Sequence, residues 1–265
     1  MVEGRGRRLS HGILATFERG KQRMNEYTVI EKHDGWAEVV LARPARKNAI
    51  VPPMAKEVAT AVNGLSTQQD VAAIVIRGSD GAFCSGVDLK VLQSKEGDPD
   101  YLGEWDGEAL REMHYALYRS AKPLIGVLER FAINAGAALV FACDLVVAGE
   151  SSFLQIGEIQ QGSDIPMNAG WLSVRSSEAV MARLALLGDR VPASELKDLQ
   201  LVTEVVPDSD TLETARRLAA RLAGFPEGAS TVIKERILSM RPANPEAVFP
   251  QSGNNALLSA DQVRG

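Results

Sequence analysis

The chain has 265 residues, 45% of them hydrophobic and 24% charged, which suits one large domain with a substantial core. A formal net charge of −5, without zinc-finger or helix-turn-helix spacing, excludes a general nucleic-acid binder, which needs a basic face to neutralise phosphates. The longest apolar stretch, around Phe131 to Gly149, is broken by Asn134 and Asp144 and falls short of a membrane span, while Cys84 and Cys143 lack the paired spacing of a disulfide or metal site.

In chain order, residues 1 to 23 are rich in arginine, with Arg5, Arg7, Arg8, Arg19 and Arg23 beside Lys21, and lack the apolar core of a secretory signal. They read as a disordered tail outside the fold, with an organelle transit peptide as the alternative. Two strands, Tyr27 to Lys32 and Trp36 to Ala42, flank the turn signal His33-Asp34-Gly35. Arg43 to Lys47 is a basic loop, either solvated or able to meet phosphates. Pro52-Pro53 starts a helix whose apolar positions Met54, Val58, Ala61, Val62 and Leu65 keep a 3.6-residue period.

Ala72 to Ile76 is a continuous apolar run, as expected of a strand covered on both faces. Gly78-Ser79-Asp80-Gly81 turns out of it. The loop Phe83 to Leu89 combines small residues with exposed backbone suited to donating N–H groups. Ser94 to Gly107 is acidic and turn-rich and reads as a solvated loop, with a flap over a ligand as the alternative. Glu108 to Arg119 returns to helical spacing and carries His114, read as a packed helix residue.

Lys122-Pro123 then introduces the stretch around which the chain is organised. Leu124 to Leu128 has strand length, and Ala132-Ile133-Asn134-Ala135-Gly136 supplies small side chains that let a ligand approach the backbone. The helix from Ala135 to about Ala142 is apolar all round and should be buried. Its N-terminus offers free N–H groups to negative charge, including charge that develops only during a reaction. Glu158 follows as the nearby acid. Gly162 to Trp171 reads as loop, Ser176 to Leu187 as a helix stopped by Gly188, Ser194 to Leu199 as a short helix and Leu201 to Val206 as a strand. Two helices close the chain, about Asp210 to Ala223 and Glu227 to Met240. No GxSxG elbow places Ser85 in a hydrolase triad.

Several of these segments together resemble the crotonase (enoyl-CoA hydratase/isomerase) family. They are the central run KPLIG, AGAAL, CDLVVAGE and Gly157-Glu158, the flanking Arg43 to Ala49 and Gly81 to Leu89, and Gly188 to Ala193, in the family's order over roughly residues 26 to 265. The resemblance implies an α/β fold: a crotonase-like spiral of ββα units spanning 24 to 206, followed by a C-terminal helical oligomerisation region over 207 to 265. It also implies an acyl-CoA substrate, a homotrimer or homohexamer, a cytoplasmic location, and no cofactor or metal beyond the coenzyme A of the substrate.

Carried over position by position, the N–H groups of Val87 and Ala135 are the expected oxyanion donors and Glu158 the expected proton carrier. Ser85, Gly86, Asp88, Leu89, Lys90 and Gly136 are the expected substrate-binding residues. Hydratases of this family use two glutamates to hold a water, but the first of those positions is Ala138, which transfers no proton. Asp164 is a turn residue rather than its replacement. One carboxylate suffices to move a double bond, so isomerisation of an enoyl-CoA is favoured, with hydration or a non-catalytic acyl-CoA binder as alternatives. Ser259 to Gly265 resembles the lead into a last helix that supplies a CoA-binding lysine in relatives, and that helix is not part of this sequence.

Overall fold

The computed structural model describes residues 26–249 and the backbone of residues 21–23; the remaining positions lie outside the described residues, and with them the Ser259 to Gly265 segment. In chain order the elements begin with β1 (Lys21–Arg23), β2 (Thr28–Lys32), β3 (Trp36–Leu41), α1 (Pro52–Ser66) and β4 (Ala73–Gly78). There follow α2 (Leu89–Gln93), α3 (Gly107–Arg119), β5 (Leu124–Leu128), β6 (Phe131–Ile133), α4 (Ala135–Ala142), β7 (Leu145–Gly149) and β8 (Phe153–Gln155). The rest are α5 (Pro166–Arg175), α6 (Glu178–Leu187), β9 (Arg190–Pro192), α7 (Ala193–Asp198), β10 (Glu204–Val206), α8 (Thr211–Ala223) and α9 (Ala229–Leu238).

A seven-stranded sheet runs in the order β1-β2-β3-β4-β5-β7-β10, antiparallel through β1, β2 and β3 and parallel from β3 onward. β1 falls within the stretch set aside as tail, and its pairing with β2 extends the sheet by one strand. A second sheet of three strands, β6-β8-β9, lies beside it, and two isolated parallel bridges, Ile50 to Val87 and Cys84 to Ala132, continue its pattern into the loops. β3, β4, β5 and β7 are thus each followed by a short extended piece and then by a helix. This is the ββα repeat.

The alternation of side chains along a strand decides what each face meets. In β4, Ile74 and Ile76 join the core beneath α1, α3 and α4, whereas Ala73 and Val75 face α8. β5 repeats this with Leu124 and Leu128 against Ile125 and Val127. Both faces are covered, so these strands read as unbroken apolar runs. On the α8 side, Glu38 of β3 is fully buried, and guanidinium groups from Arg77 of β4 and Arg216 of α8 both reach its carboxylate. These hydrogen bonds hold its carboxyl below the usual range against the opposing effect of burial.

One segment departs from expectation. Gly162 to Trp171, read as loop because it holds Pro166 and Gly170, contains most of helix α5. Pro166 occupies the first turn, where its missing N–H costs nothing and its fixed φ favours entry. Gly170 is small because the Phe249 ring lies on it; a Cβ there would come within 2.5 Å of the ring. The helix ends of α9 and the strand β10 are each shorter than their sequence patterns, whereas 94–106 has no regular structure, as expected.

Candidate functional site

The loop after β4 is shaped by Cys84, Gly86 and Asp88. Gly86 lies at φ +90°, a left-handed conformation that L side chains rarely adopt, and a Cβ there would meet the Ile133 carbonyl oxygen at 2.8 Å. The loop therefore rests directly on the strand that leads to α4. The Gly86 carbonyl accepts from Ile50 N–H and the Asp88 N–H donates to the Ile50 carbonyl, at 2.7 and 2.9 Å. Backbone groups alternate in direction along an extended segment, so the Val87 N–H between them points the other way. No acceptor within the described residues takes it.

Ala135 is the first residue of α4, and its N–H belongs to the set that no preceding helical carbonyl can accept. The residue before it, Asn134, sits at φ 53°, ψ −120°, a conformation suited to glycine that costs on the order of 1–3 kcal/mol for another residue. Five hydrogen bonds hold it there. Its N–H donates to the Gln155 carbonyl at 2.8 Å, its side-chain Oδ1 accepts from the Gly157 N–H at 2.8 Å, and its carbonyl accepts from the Ala137 and Ala138 N–H groups and the Asn168 amide. Gly136 allows the loop to close: a Cβ there would lie 2.6 Å from the Cys84 carbonyl oxygen. The two donor-bearing loops are therefore in contact.

Glu158 stands at the start of a 3-10 turn, Glu158–Gln161, immediately after Gly157. The Asn134 side chain consequently ties the turn that carries the acid to the turn that carries the Ala135 N–H. Oε1 of Glu158 accepts from the Asn168 amide at 3.0 Å, while Oε2 is buried and has no protein partner. Burial pushes the carboxyl up to about 7, opposed by its own backbone N–H and by Asn168. A group titrating there both takes and returns a proton at neutral pH.

Of the other residues singled out in the sequence, Leu89 and Lys90 are exposed at the start of α2, and the Ser85 hydroxyl donates to the Arg46 carbonyl at 3.3 Å. Asp88 is buried, accepts from Arg43 and Arg46 at 3.0 and 2.7 Å, and caps α2 through the Lys90 and Val91 N–H groups, so its carboxylate is engaged by the protein. The same contacts occupy two of the cations of the basic loop. Ala138 is fully buried within α4, and the Asp164 carboxylate turns back to accept from the Ile165 N–H. His114 is buried, with Nδ1 accepting from the Trp171 indole at 2.9 Å, and burial drives its pKa down to about 3. It stays neutral in the core.

Asn168 was not singled out in the sequence. The signal was present: Pro166 at a helix start, with Met167, Trp171 and Leu172 on one face, places Asn168 within the first turn of a helix. Two unpaired main-chain N–H groups, a carboxyl with one free oxygen and a near-neutral pKa form a set that can polarise a carbonyl oxygen and move a proton beside it.

The family described as enoyl-CoA hydratase/isomerase matches residues 31–249. A probable mitochondrial enoyl-CoA hydratase of Dictyostelium discoideum is 30% identical over 203 residues, covering 75% of this chain and 70% of that protein. An enoyl-CoA hydratase of Mycobacterium tuberculosis is 29% identical over 259 residues, covering 95% of this chain and 94% of the other. Among solved structures, a protein described as a putative enoyl-CoA hydratase/carnithine racemase from Magnetospirillum magneticum superposes with a TM-score of 0.72 at 26% identity, over 84% of this chain and 86% of its own. The repeat of strand, short strand and helix and these matches agree: the chain belongs to the enoyl-CoA hydratase/isomerase (crotonase) family.

Proposed function

We propose that this protein shifts a double bond in an enoyl-CoA, from the 3 to the 2 position, with Glu158 as the one proton carrier. The observation that carries the reading is the single accessible chemistry of the site: one carboxyl group with a free oxygen, where a second carboxylate would have to come from Ala138 or Asp164. The thioester oxygen is received by the N–H groups of Val87 and Ala135. The Glu158 carboxylate removes a proton from C2, the electron pair moves through the thioester onto its oxygen, and the two amides stabilise the resulting charge. Each such donor is worth about 3–4 kcal/mol in the transition state. The same carboxyl then returns its proton to C4 as the double bond settles at C2–C3, so no atom is gained or lost.

The coenzyme A portion lies by this reading along Ser85, Gly86, Leu89, Lys90 and Gly136. A trimer or pair of trimers and a cytoplasmic location complete it, the first supported by the apolar side chains that α9 exposes, Val232, Ile233 and Ile237, with Met240 just beyond. A second reading, water addition to a 2-enoyl-CoA, is favoured by the names of the curated relatives. It requires a second acid–base group to activate the water. Incubation with 3-enoyl-CoA and, separately, with crotonyl-CoA distinguishes the two. Double-bond migration abolished in Glu158→Gln is the expected result. Hydration of crotonyl-CoA without migration would overturn the isomerase reading, and neither reaction would leave an acyl-CoA binder.

A further inference from the structure

We infer that Asn168 is the positioning residue of this site, because its one amide nitrogen holds both the peptide that bears the Ala135 N–H and the carboxylate of Glu158. Its Nδ2 donates to the Asn134 carbonyl at 3.2 Å and to Glu158 Oε1 at 3.0 Å. The peptide unit is planar and trans, so fixing the direction of the Asn134 carbonyl fixes the Ala135 N–H in the opposite direction. On the carboxylate, the same nitrogen engages Oε1 and thereby selects Oε2 as the free, reactive oxygen. The distance between the place where charge develops and the atom that moves the proton is set by a single rigid amide.

Asn168 is suited to this by where it stands. It is only 1% exposed, in the first turn of α5, between the fixed entry at Pro166 and the anchor of Trp171, whose indole is held by His114. Its own Oδ1 is buried without a partner, so the amide is oriented by its two acceptors alone. The groups around Glu158 leave it this role. α4 carries no charged residue, Arg183 of α6 is held by Asp189 and Glu195, and Arg190 of β9 lies over the Phe153 ring. Glu178 opens α6, Arg175 ends α5, Asp164 turns to its own chain, and none of these pairs with Glu158. Asn168 is therefore the side chain that favours the ionised form, against burial.

The inference rests on the proposed role of Glu158, and the experiment separates the two. Asn168→Asp keeps the shape and removes the donor; Asn168→Leu removes the donor without adding charge. Two quantities are measured on the full chain: the pH dependence of kcat for 3-enoyl-CoA isomerisation, and the titration of the Glu158 carboxyl by infrared difference spectroscopy, with Glu158→Gln as the blank. The acid limb and the infrared titration should both move upward by about one pH unit in each variant. KM should change little. Unmoved titrations in folded variants overturn the inference, as does a shift in Asn168→Asp alone, which would come from the added charge. Should Asn168→Leu fail to fold, Asn168→Ala, which also removes the donor without adding charge, takes its place with the same two outcomes. If wild-type protein turns over no enoyl-CoA, the catalytic reading falls, while the infrared titration still reports whether Asn168 governs the carboxyl.

Discussion

Main-chain donors cannot be deleted by substitution, but the contact that aligns them can be wedged open, and Gly136→Ala does this. The added Cβ would stand 2.6 Å from the Cys84 carbonyl oxygen and 3.0 Å from both Cys84 Cβ and Sγ. These separations fall about 0.5–1 Å short of an ordinary contact. Backbone on one side and a fully buried side chain on the other leave no flexible end to yield, so the loops must part. Overfilling of this kind costs about 1–3 kcal/mol of stability, and a catalytic group displaced by about 1 Å loses on the order of 10²-fold in rate. The assay is double-bond migration in 3-enoyl-CoA, with Gly64→Ala as the control. Gly64 is an exposed residue of α1 with nothing within 4 Å of its missing Cβ, and alanine there should add up to about 1 kcal/mol of stability without touching kcat. Gly136→Ala should lower kcat about 100-fold with little change in KM, and lower Tm by about 2–4 °C for each kcal/mol lost. A folded Gly136→Ala protein with wild-type kcat would refute the argument that contact between the two loops aligns the donors.

Glu158 also links stability to pH. Its folded pKa, about 7, lies above the ordinary glutamate value of 4.5, so the folded state binds the proton more tightly than the unfolded chain. The contribution is therefore intact below about 4.5 and is lost as pH rises through 7, at a cost approaching about 3 kcal/mol on the alkaline side. Glu158→Gln removes that dependence, so the inactive variant should match wild type at pH 5 and melt several degrees higher at pH 8. An equal difference at both pH values, read by differential scanning calorimetry, would count against it. Far from the site, Lys234 of α9 is 1% exposed, with Nζ 2.6 and 2.7 Å from the Asp144 oxygens. Lys234→Met leaves Arg241, 3.7 Å from Asp144 Oδ1, as the remaining cation, so it should cost less than the about 3–5 kcal/mol of a fully uncompensated buried charge, and adding Asp144→Asn should restore part of the loss, as urea unfolding can show.

The parallel strands were legible because α8 covers the second face of the sheet, which makes Ala72 to Ile76 and Leu124 to Leu128 unbroken apolar runs. α4 was legible for the same reason, being apolar all round and buried from Gly136 to Ala142. The short second sheet was harder. β6 and β8 have three residues each, too few to establish a period, and Phe131 to Ile133 adjoins the turn that supplies the Ala135 N–H. The α5 segment misled because Pro166 and Gly170 punctuate loops in most contexts, whereas here one begins the helix and the other yields room to Phe249. Missing that helix meant missing Asn168. Asp88 was harder in another way: its two arginine partners come from a loop more than forty positions earlier, a distance that local spacing does not express.

Cys84 has a consequence beyond its place in the core. Its Sγ donates to the Asn48 carbonyl at 3.2 Å, accepts from the Gly86 N–H at 3.4 Å, and lies directly beneath Gly136. Burial pushes its thiol up to about 12, so it remains protonated and inert towards oxidants. The sulfur is a shim. By the proposed reading, its diameter sets the gap across which two amides face one oxygen, and a main-chain site is thereby adjusted from the atom on which it stands. Descendants of such a site can be retuned through that spacer while the groups that meet the substrate keep their chemical identity.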